Sequence, residues 1–358
     1  MRGIVWDEGR LHVTDTLELR PPCEGEVRVR VLRSGVCHSD LHMMRPGMIV
    51  GPVVLGHEAA GVVVETGTGV TGWAPGQPVM VSTQTPCGHC RECSRGEPAN
   101  CDVTWGYVPH HPFTWRGHPV ASFANVSSFA SEIVVRASQL FATRGLAADQ
   151  AALIGCAVST GFCAARNLGR VRPGDRVAVI GVGGIGVNAI QSAALAGASV
   201  LAIDINPAKA TAARRFGAQD FLCVGRETSG EALAEELSRA FAPIDLAIEC
   251  SGAPSAVEAA IHGVKRGGRI VLVGLSAPGA EARLRLDSVL GGREIITVLN
   301  GGAQPARDYP ELIRLAREGG LDIASQITRV WPAAEIEDAI AALRAGEVTR
   351  AVLDHTAD

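Results

Sequence analysis

Residues 176–204 read RVAVIGVGGIGVNAIQSAALAGASVLAID, and the order of their parts decides the fold. Residues 176–180, apolar after Arg176, are a short strand that runs into Gly181-Val182-Gly183-Gly184-Ile185-Gly186, a Gly-x-Gly-x-x-Gly turn. Residues 188–196 have helix-forming composition, and 199–203 make a second apolar strand that ends at Asp204, eighteen residues after the last glycine. A glycine motif alone is weak, but strand, turn, helix, strand and terminal carboxylate together form the dinucleotide fingerprint. The glycines let the backbone approach a pyrophosphate at a helix N-terminus, where free N–H groups favour negative charge. Asp204 can hydrogen-bond both ribose hydroxyls and would repel a 2′-phosphate, so NAD is expected over NADP.

The same texture continues outward. Residues 207–216 read as helix, 246–249 as strand, 255–264 as helix and 269–273 as strand, which implies a parallel, doubly wound α/β sheet with crossover helices. Upstream the pattern differs: 25–36, 60–65 and 79–82 alternate Val or Leu with polar residues between Gly and Pro, as in an antiparallel barrel or sandwich. Past Asn300, helices are expected at 309–318 and 334–345 and a last strand at 351–353.

A chain of 358 residues is long enough for two such domains. The net charge of −4 with interspersed signs offers no basic stripe for nucleic acid. Acidic residues at Asp7 and Glu8 interrupt any N-terminal apolar run, and no uninterrupted apolar stretch of membrane-spanning length follows, so a soluble, cytoplasmic protein is expected. In that compartment ten cysteines point to metal ligation or catalysis before disulfides.

Four of them, Cys87, Cys90, Cys93 and Cys101, fall within fifteen residues of a loop that also holds Pro86, Gly88, Gly96 and Pro98. Four thiolates so close together can enclose a tetrahedral structural zinc. An iron–sulfur cluster is the rival, but the fourth cysteine comes too late for a ferredoxin run. A second set is dispersed: Cys37 in Gly35-Val36-Cys37-His38-Ser39-Asp40, His57 in Gly56-His57-Glu58, and Cys156. Singly, each reads as an ordinary buried Cys or His. Together they make the Cys2His set of a catalytic zinc with one position open.

On these motifs the chain resembles the zinc-containing medium-chain alcohol dehydrogenases, over essentially its whole length. The resemblance implies a GroES-like catalytic domain over residues 1–157, to which 300–358 return, and a Rossmann NAD domain over 158–299, with the site in the cleft between them. It implies two zincs per chain, one held by Cys37, His57 and Cys156 and one by the cysteine quartet. Glu58 would enter the catalytic metal's shell during ligand exchange, and Asp40 would fix the ring of His57. Ser39 and His42 match a proton relay from the alcohol to the surface. Lys209 matches a residue at the adenosine ribose and Arg350 one at the pyrophosphate; Thr160, Val273 and Leu299 match positions lining the nicotinamide. The activity implied is interconversion of an alcohol and its aldehyde or ketone with NAD(H).

One departure stands out. Many relatives carry Arg where this chain has His38, so a permanent charge-assisted contact to the pyrophosphate is weakened and fast cofactor release is expected. The segment 102–131 holds Trp105, Tyr107, His110, His111, Phe113, Trp115, Phe123 and Phe129, which either line a substrate channel or pack the domain edge. Cys23, Cys163, Cys223 and Cys250 carry no motif and are expected in the core or in strands. The β-prone residues 294–299 suggest a sheet edge covered in a homodimer, or a tetramer built from it. Two other functions stay open: a dehydrogenase of the hydroxymethyl adduct of a small thiol, and a non-catalytic zinc and dinucleotide binder.

Overall fold

The structure is a computed structural model and describes residues 1–105, 111–289 and 291–357. The chain divides into two compact units, Met1–Cys156 with Gln304–Asp358, and Ala157–Ala303.

The first unit is built on two sheets. One has the order Arg10–Thr14, Gly3–Asp7, Val53–Val54, His118–Ser122, Phe113–Trp115, Glu18–Leu19. The other runs Leu140–Ala142, Pro78–Val81, Glu58–Thr66, Glu26–Val36, Arg350–Asp354, Ile327–Pro332, and Glu132–Arg136 also pairs with Glu26–Val36. In Glu26–Val36 the alternate residues Val27, Val29 and Val31 are buried, as the period of two requires of a strand with one face on the core. They join Val63, Phe113, Phe129, Ile133 and Leu353 in one apolar cluster.

Two pairs depart from the antiparallel expectation. Val53–Val54 runs parallel to His118–Ser122, and Ile327–Pro332 parallel to Arg350–Asp354. The second pair follows from connectivity, since parallel neighbours need a crossover and the helix Ile336–Arg344 supplies it. That helix buries Ile336, Ala339, Ile340 and Leu343 in the same core.

The second unit holds a six-stranded sheet whose pairs are all parallel, in the order Asp220–Cys223, Ser199–Asp204, Arg176–Ile180, Ile244–Glu249, Val264–Leu272, Glu294–Ile296. The direction of sequence travel reverses between Arg176–Ile180 and Ile244–Glu249, so the switch point lies beyond their carboxyl ends. Helix Gly184–Leu195 packs Val187, Ala189, Ile190 and Ala193 onto the sheet. Gly181 turns at φ +97, and any Cβ on Gly186 would overlap the Gly181 carbonyl, so both positions require glycine.

Among the elements of this unit that the sequence left unread are the strand Asp220–Cys223 and the helix Gly230–Phe241. The strand is a short sheet edge with no fully buried residue, and its few apolar residues, Phe221, Leu222 and Cys223, are too short a run to show a period. The helix is amphipathic, started by Ser229, whose Oγ accepts from Ala232 N, and it buries Leu233, Leu237 and Phe241.

The helical run Ala148–Leu168 is long and apolar enough by composition to cross a membrane, with mean hydropathy 1.3, but 78% of that stretch is buried inside the fold. Its apolar residues serve the core.

Candidate metal centres and dinucleotide turn

Cys37 ends the Glu26–Val36 strand and N-caps the short helix His38–Met43. The fully buried Asp40 fixes that helix start. Asp40 Oδ2 accepts from Cys37 N at 3.0 Å, and Oδ1 accepts from Gly56 N at 3.0 Å and lies 3.2 Å from His57 Nδ1. One carboxylate thus ties together the helix start, the Gly56 turn and the imidazole of His57. With Nδ1 engaged, His57 presents Nε2, which lies 3.3 Å from Cys156 Sγ. Cys156 sits in a π-helical stretch, Ile154–Val158, within the longer helical run. A π-turn inserts a residue into the helix, rotating the side chains that follow and re-aiming this thiol.

Glu58 is fully buried, its Oε2 paired with the guanidinium of Arg350. Gly35 makes room for that carboxylate, since any Cβ there would collide with it. Ligand atoms of Cys37, His57, Glu58 and Cys156 all lie within 4.8 Å of one another. Sulfurs bound at ~2.3 Å around a tetrahedral zinc would stand roughly 3.8 Å apart, so the set fits that ion. Charge agrees with this. The hydrogen bond between the two thiols pulls Cys37 well below the ordinary thiol range and pushes Cys156 above it, so the pair shares protons that a divalent cation would displace. Burial opposes the charged form of His57, but Asp40 raises it above the usual imidazole range.

Cys87, Cys90, Cys93 and Cys101 likewise converge within 4.8 Å. Cys90 N donates to Cys87 Sγ at 3.2 Å, Cys93 N to Cys90 Sγ at 3.5 Å and Cys87 N to Cys101 Sγ at 3.3 Å. Amides aimed at sulfur favour thiolates, while burial of the crowded thiol pushes Cys93 up to about 12. A bound cation resolves the conflict, and with four protein sulfurs no position stays open. The loop is anchored by Gln304 Nε2, which donates to Gly96 O at 2.9 Å.

Ser39 lies on the His38–Met43 helix with its Oγ 3.6 Å from Cys37 Sγ, and His42 is three residues on, on the same face. Burial and Arg45 lower the pKa of His42. His38 is exposed. Arg350 is buried in its pair with Glu58, a partnership the sequence reading did not contain because 292 residues separate the two. Of the aromatics, Phe113, Trp115 and Phe129 pack the core, whereas Phe123 stands edge-on to His57 with ring centroids 5.5 Å apart. Tyr107 and His110 lie outside the described residues, as does the Trp105 side chain. Cys23 departs from expectation: it is exposed in a loop, receiving a hydrogen bond from Arg20 Nη1 at 3.3 Å. Cys223 ends its strand exposed, and Cys163 is buried.

In the second unit the glycine turn opens at the end of Arg176–Ile180. A Cβ on Gly183 would meet nothing within 4 Å, so its backbone is open to a ligand. Asp204 Oδ2 accepts from Val182 N at 2.7 Å and Oδ1 from Asn206 N at 2.9 Å, which holds the carboxylate beside the turn. Lys209 is lowered by burial and partly restored by the charge of Asp204. Thr160 is buried beneath Gly301, next to the turn at Leu299–Gly302, and Val273 follows the end of Val264–Leu272.

The chain matches the family described as Alcohol dehydrogenase GroES-like domain over residues 23–144 and that described as Zinc-binding dehydrogenase over residues 184–318. It is 34% identical over 350 residues to the S-(hydroxymethyl)glutathione dehydrogenase of Escherichia coli O1:K1, covering 94% of each chain. Among solved structures it resembles an alcohol dehydrogenase zinc-binding domain protein from Burkholderia ambifaria, with TM-score 0.90 and 28% identity over 99% of this chain and 98% of the other. The benzyl alcohol dehydrogenase of Acinetobacter calcoaceticus gives TM-score 0.89 and 26% identity over the same shares. Two thiolate-lined metal centres on one unit and a glycine turn on the doubly wound sheet of the other agree with these matches: the chain belongs to the zinc-containing medium-chain alcohol dehydrogenase family.

Proposed function

We propose that this protein oxidises an alcohol to its aldehyde or ketone, and catalyses the reverse, with NAD(H). The observation that carries the reading is the convergent Cys37, His57 and Cys156 set, with Cys37 and His57 buried and Cys156 half-buried, which gives a metal three protein ligands and leaves Glu58 held back by Arg350. When bound, zinc supplies the Lewis acid that acidifies an alcohol hydroxyl, and NAD supplies the hydride acceptor. The chain's own groups do the rest. Asp40 orients His57, Ser39 receives the hydroxyl proton, and His42, with its lowered pKa, passes it to solvent as a neutral base. Phe123 forms an apolar wall against His57. Asp204 and Lys209 hold the adenosine ribose, the glycine turn holds the pyrophosphate, His38 and Arg350 are the positive groups assigned to that pyrophosphate by family resemblance, and Thr160, Val273 and Leu299 line the nicotinamide. NADH formation from a panel of primary alcohols, lost on addition of a zinc chelator, tests the reading; no turnover with any alcohol or aldehyde in either direction would sink it.

A second substrate class has a specific observation in its favour, since the relative at 34% identity is a dehydrogenase of S-(hydroxymethyl)glutathione. Formaldehyde oxidation that requires glutathione would select it. Free cysteines throughout fit a reducing, cytoplasmic setting. The edge strand Glu294–Ile296 pairs only with Val264–Leu272 among the described residues, and Ile295 is exposed on it, which supports a homodimer through this edge. A monomer mass in light scattering at micromolar concentration would refute the dimer.

A further inference from the structure

Glu249 is the last residue of Ile244–Glu249, in register with Ile180 of the neighbouring strand, so it stands at the switch point where the doubly wound sheet takes its dinucleotide. It is a fully buried carboxyl with lopsided bonding. Oε1 accepts from Ser251 N at 2.6 Å, Ser251 Oγ at 2.5 Å and Gly252 N at 2.9 Å, whereas Oε2 has no hydrogen-bond partner among the described residues. Residues 250–252 are thereby drawn against the glycine turn: a Cβ on Gly181 would lie 3.2 Å from Ser251 N. On the other side the loop after Val264–Leu272 closes over the carboxyl, with Val273 N and Gly274 N both donating to Glu249 O. Gly274 permits that crossing, because a Cβ there would lie 2.5 Å from Oε2.

We infer that Glu249 is a positioning residue for the dinucleotide, a neutral carboxyl that sets the floor of the crevice by holding residues 251 and 252 beside Gly181. It does not reach the ligand; it acts through the exposed Ser251 and the loop that carries it. The neutral form follows from the bonding, since a buried carboxylate oxygen without a donor or a cation costs more than a buried hydroxyl. Burial raises the Glu249 pKa in the same sense, against the hydrogen bonds from Ser251 and Gly252. The inference rests on the NAD reading and extends it to a residue outside the glycine motif.

The test is NADH affinity, read by fluorescence titration in wild type, Glu249→Gln and Glu249→Asp, with zinc content and Tm measured on each. Gln keeps a carbonyl oxygen for the three donors and should bind NADH within about twofold of wild type. Asp keeps the acid but withdraws it by one methylene, so it cannot serve Ser251 and Gly252 together; its Kd should rise about tenfold, the scale of a lost hydrogen bond or two. KM for NAD should rise with it while kcat and the alcohol KM stay near wild type, with two zincs per chain retained. An Asp variant with wild-type affinity, or a Gln variant as weak as Asp, overturns the inference while leaving the NAD reading intact. Wild-type protein that does not bind NADH overturns both.

Discussion

His355 offers a quantitative test of how the first unit resists acid. It follows the Arg350–Asp354 strand, its N–H donates to Leu32 O, and its ring Nε2 lies 2.9 Å from Ser34 Oγ with the side chain buried. Burial first, then Arg2 and Arg33, push its pKa down from 6.5 to about 4, against the charge of Asp354. The unfolded chain therefore takes up a proton near 6.5 that the folded chain refuses until about 4. Between those values the unfolded state binds more protons, so stability falls as pH falls through this window and is fully present above it. The loss should reach about 2 kcal/mol near pH 5 and about 3 kcal/mol near pH 4. His355→Gln removes the titration and can retain the hydrogen bond to Ser34. Melting curves of both proteins near pH 7.5 and pH 5 measure the effect, and acid weakening of the thiolate sites cancels between them. At roughly 2–4 °C per kcal/mol for a unit of this size, wild type should lose some 4–8 °C more than the variant. Equal losses would mean that the fold accommodates an imidazolium at this position, and the argument from burial would fail.

Three further outcomes are expected. Purified protein should hold two zincs per chain; Cys93→Ser should lose one together with thermal stability, whereas Cys37→Ser should lose turnover with circular dichroism unchanged, and one zinc or fewer in wild type would contradict the ligand assignment. Asp204→Ala should erode the preference for NAD over NADP by about tenfold or more, on the scale of charge-assisted ribose bonds; comparable specificity constants for the two cofactors in wild type would remove the basis of this expectation. His38→Arg should tighten NADH by about tenfold or less, and lower kcat if release limits turnover; identical stopped-flow release rates would show that His38 does not touch the cofactor.

The cysteine spacings, the glycine turn and Asp204 were legible in the sequence because each is local. Four thiolates within fifteen residues can meet around one ion without distant chain, and a strand, turn and helix in succession carry their own backbone geometry. Residues matched by resemblance, such as Ser39 and His42, were also local, sharing one short helix with His38. Boundaries in the β-rich unit were less readable, since short strands such as Val53–Val54 and Glu18–Leu19 carry too few residues to show a period.

What the tertiary structure alone decided were the partnerships made across long separations. Nothing in the residues around Arg350 indicates that its guanidinium lies on Glu58, because what brings the two together is the pairing of Arg350–Asp354 and of Glu58–Thr66 on opposite sides of Glu26–Val36. Phe123 is one aromatic among many in its segment until the fold sets its ring against His57. Glu249 reads as an ordinary strand end, and only parallel register with Ile180 puts it at the switch point with Ser251 and Gly252 on a single oxygen. Sequence by itself determined which chemistries the chain carries, since ligand type and local spacing are properties of a few adjacent residues. Which buried charge faces which partner depends on strand order and register, and these are set by the packing of the whole core.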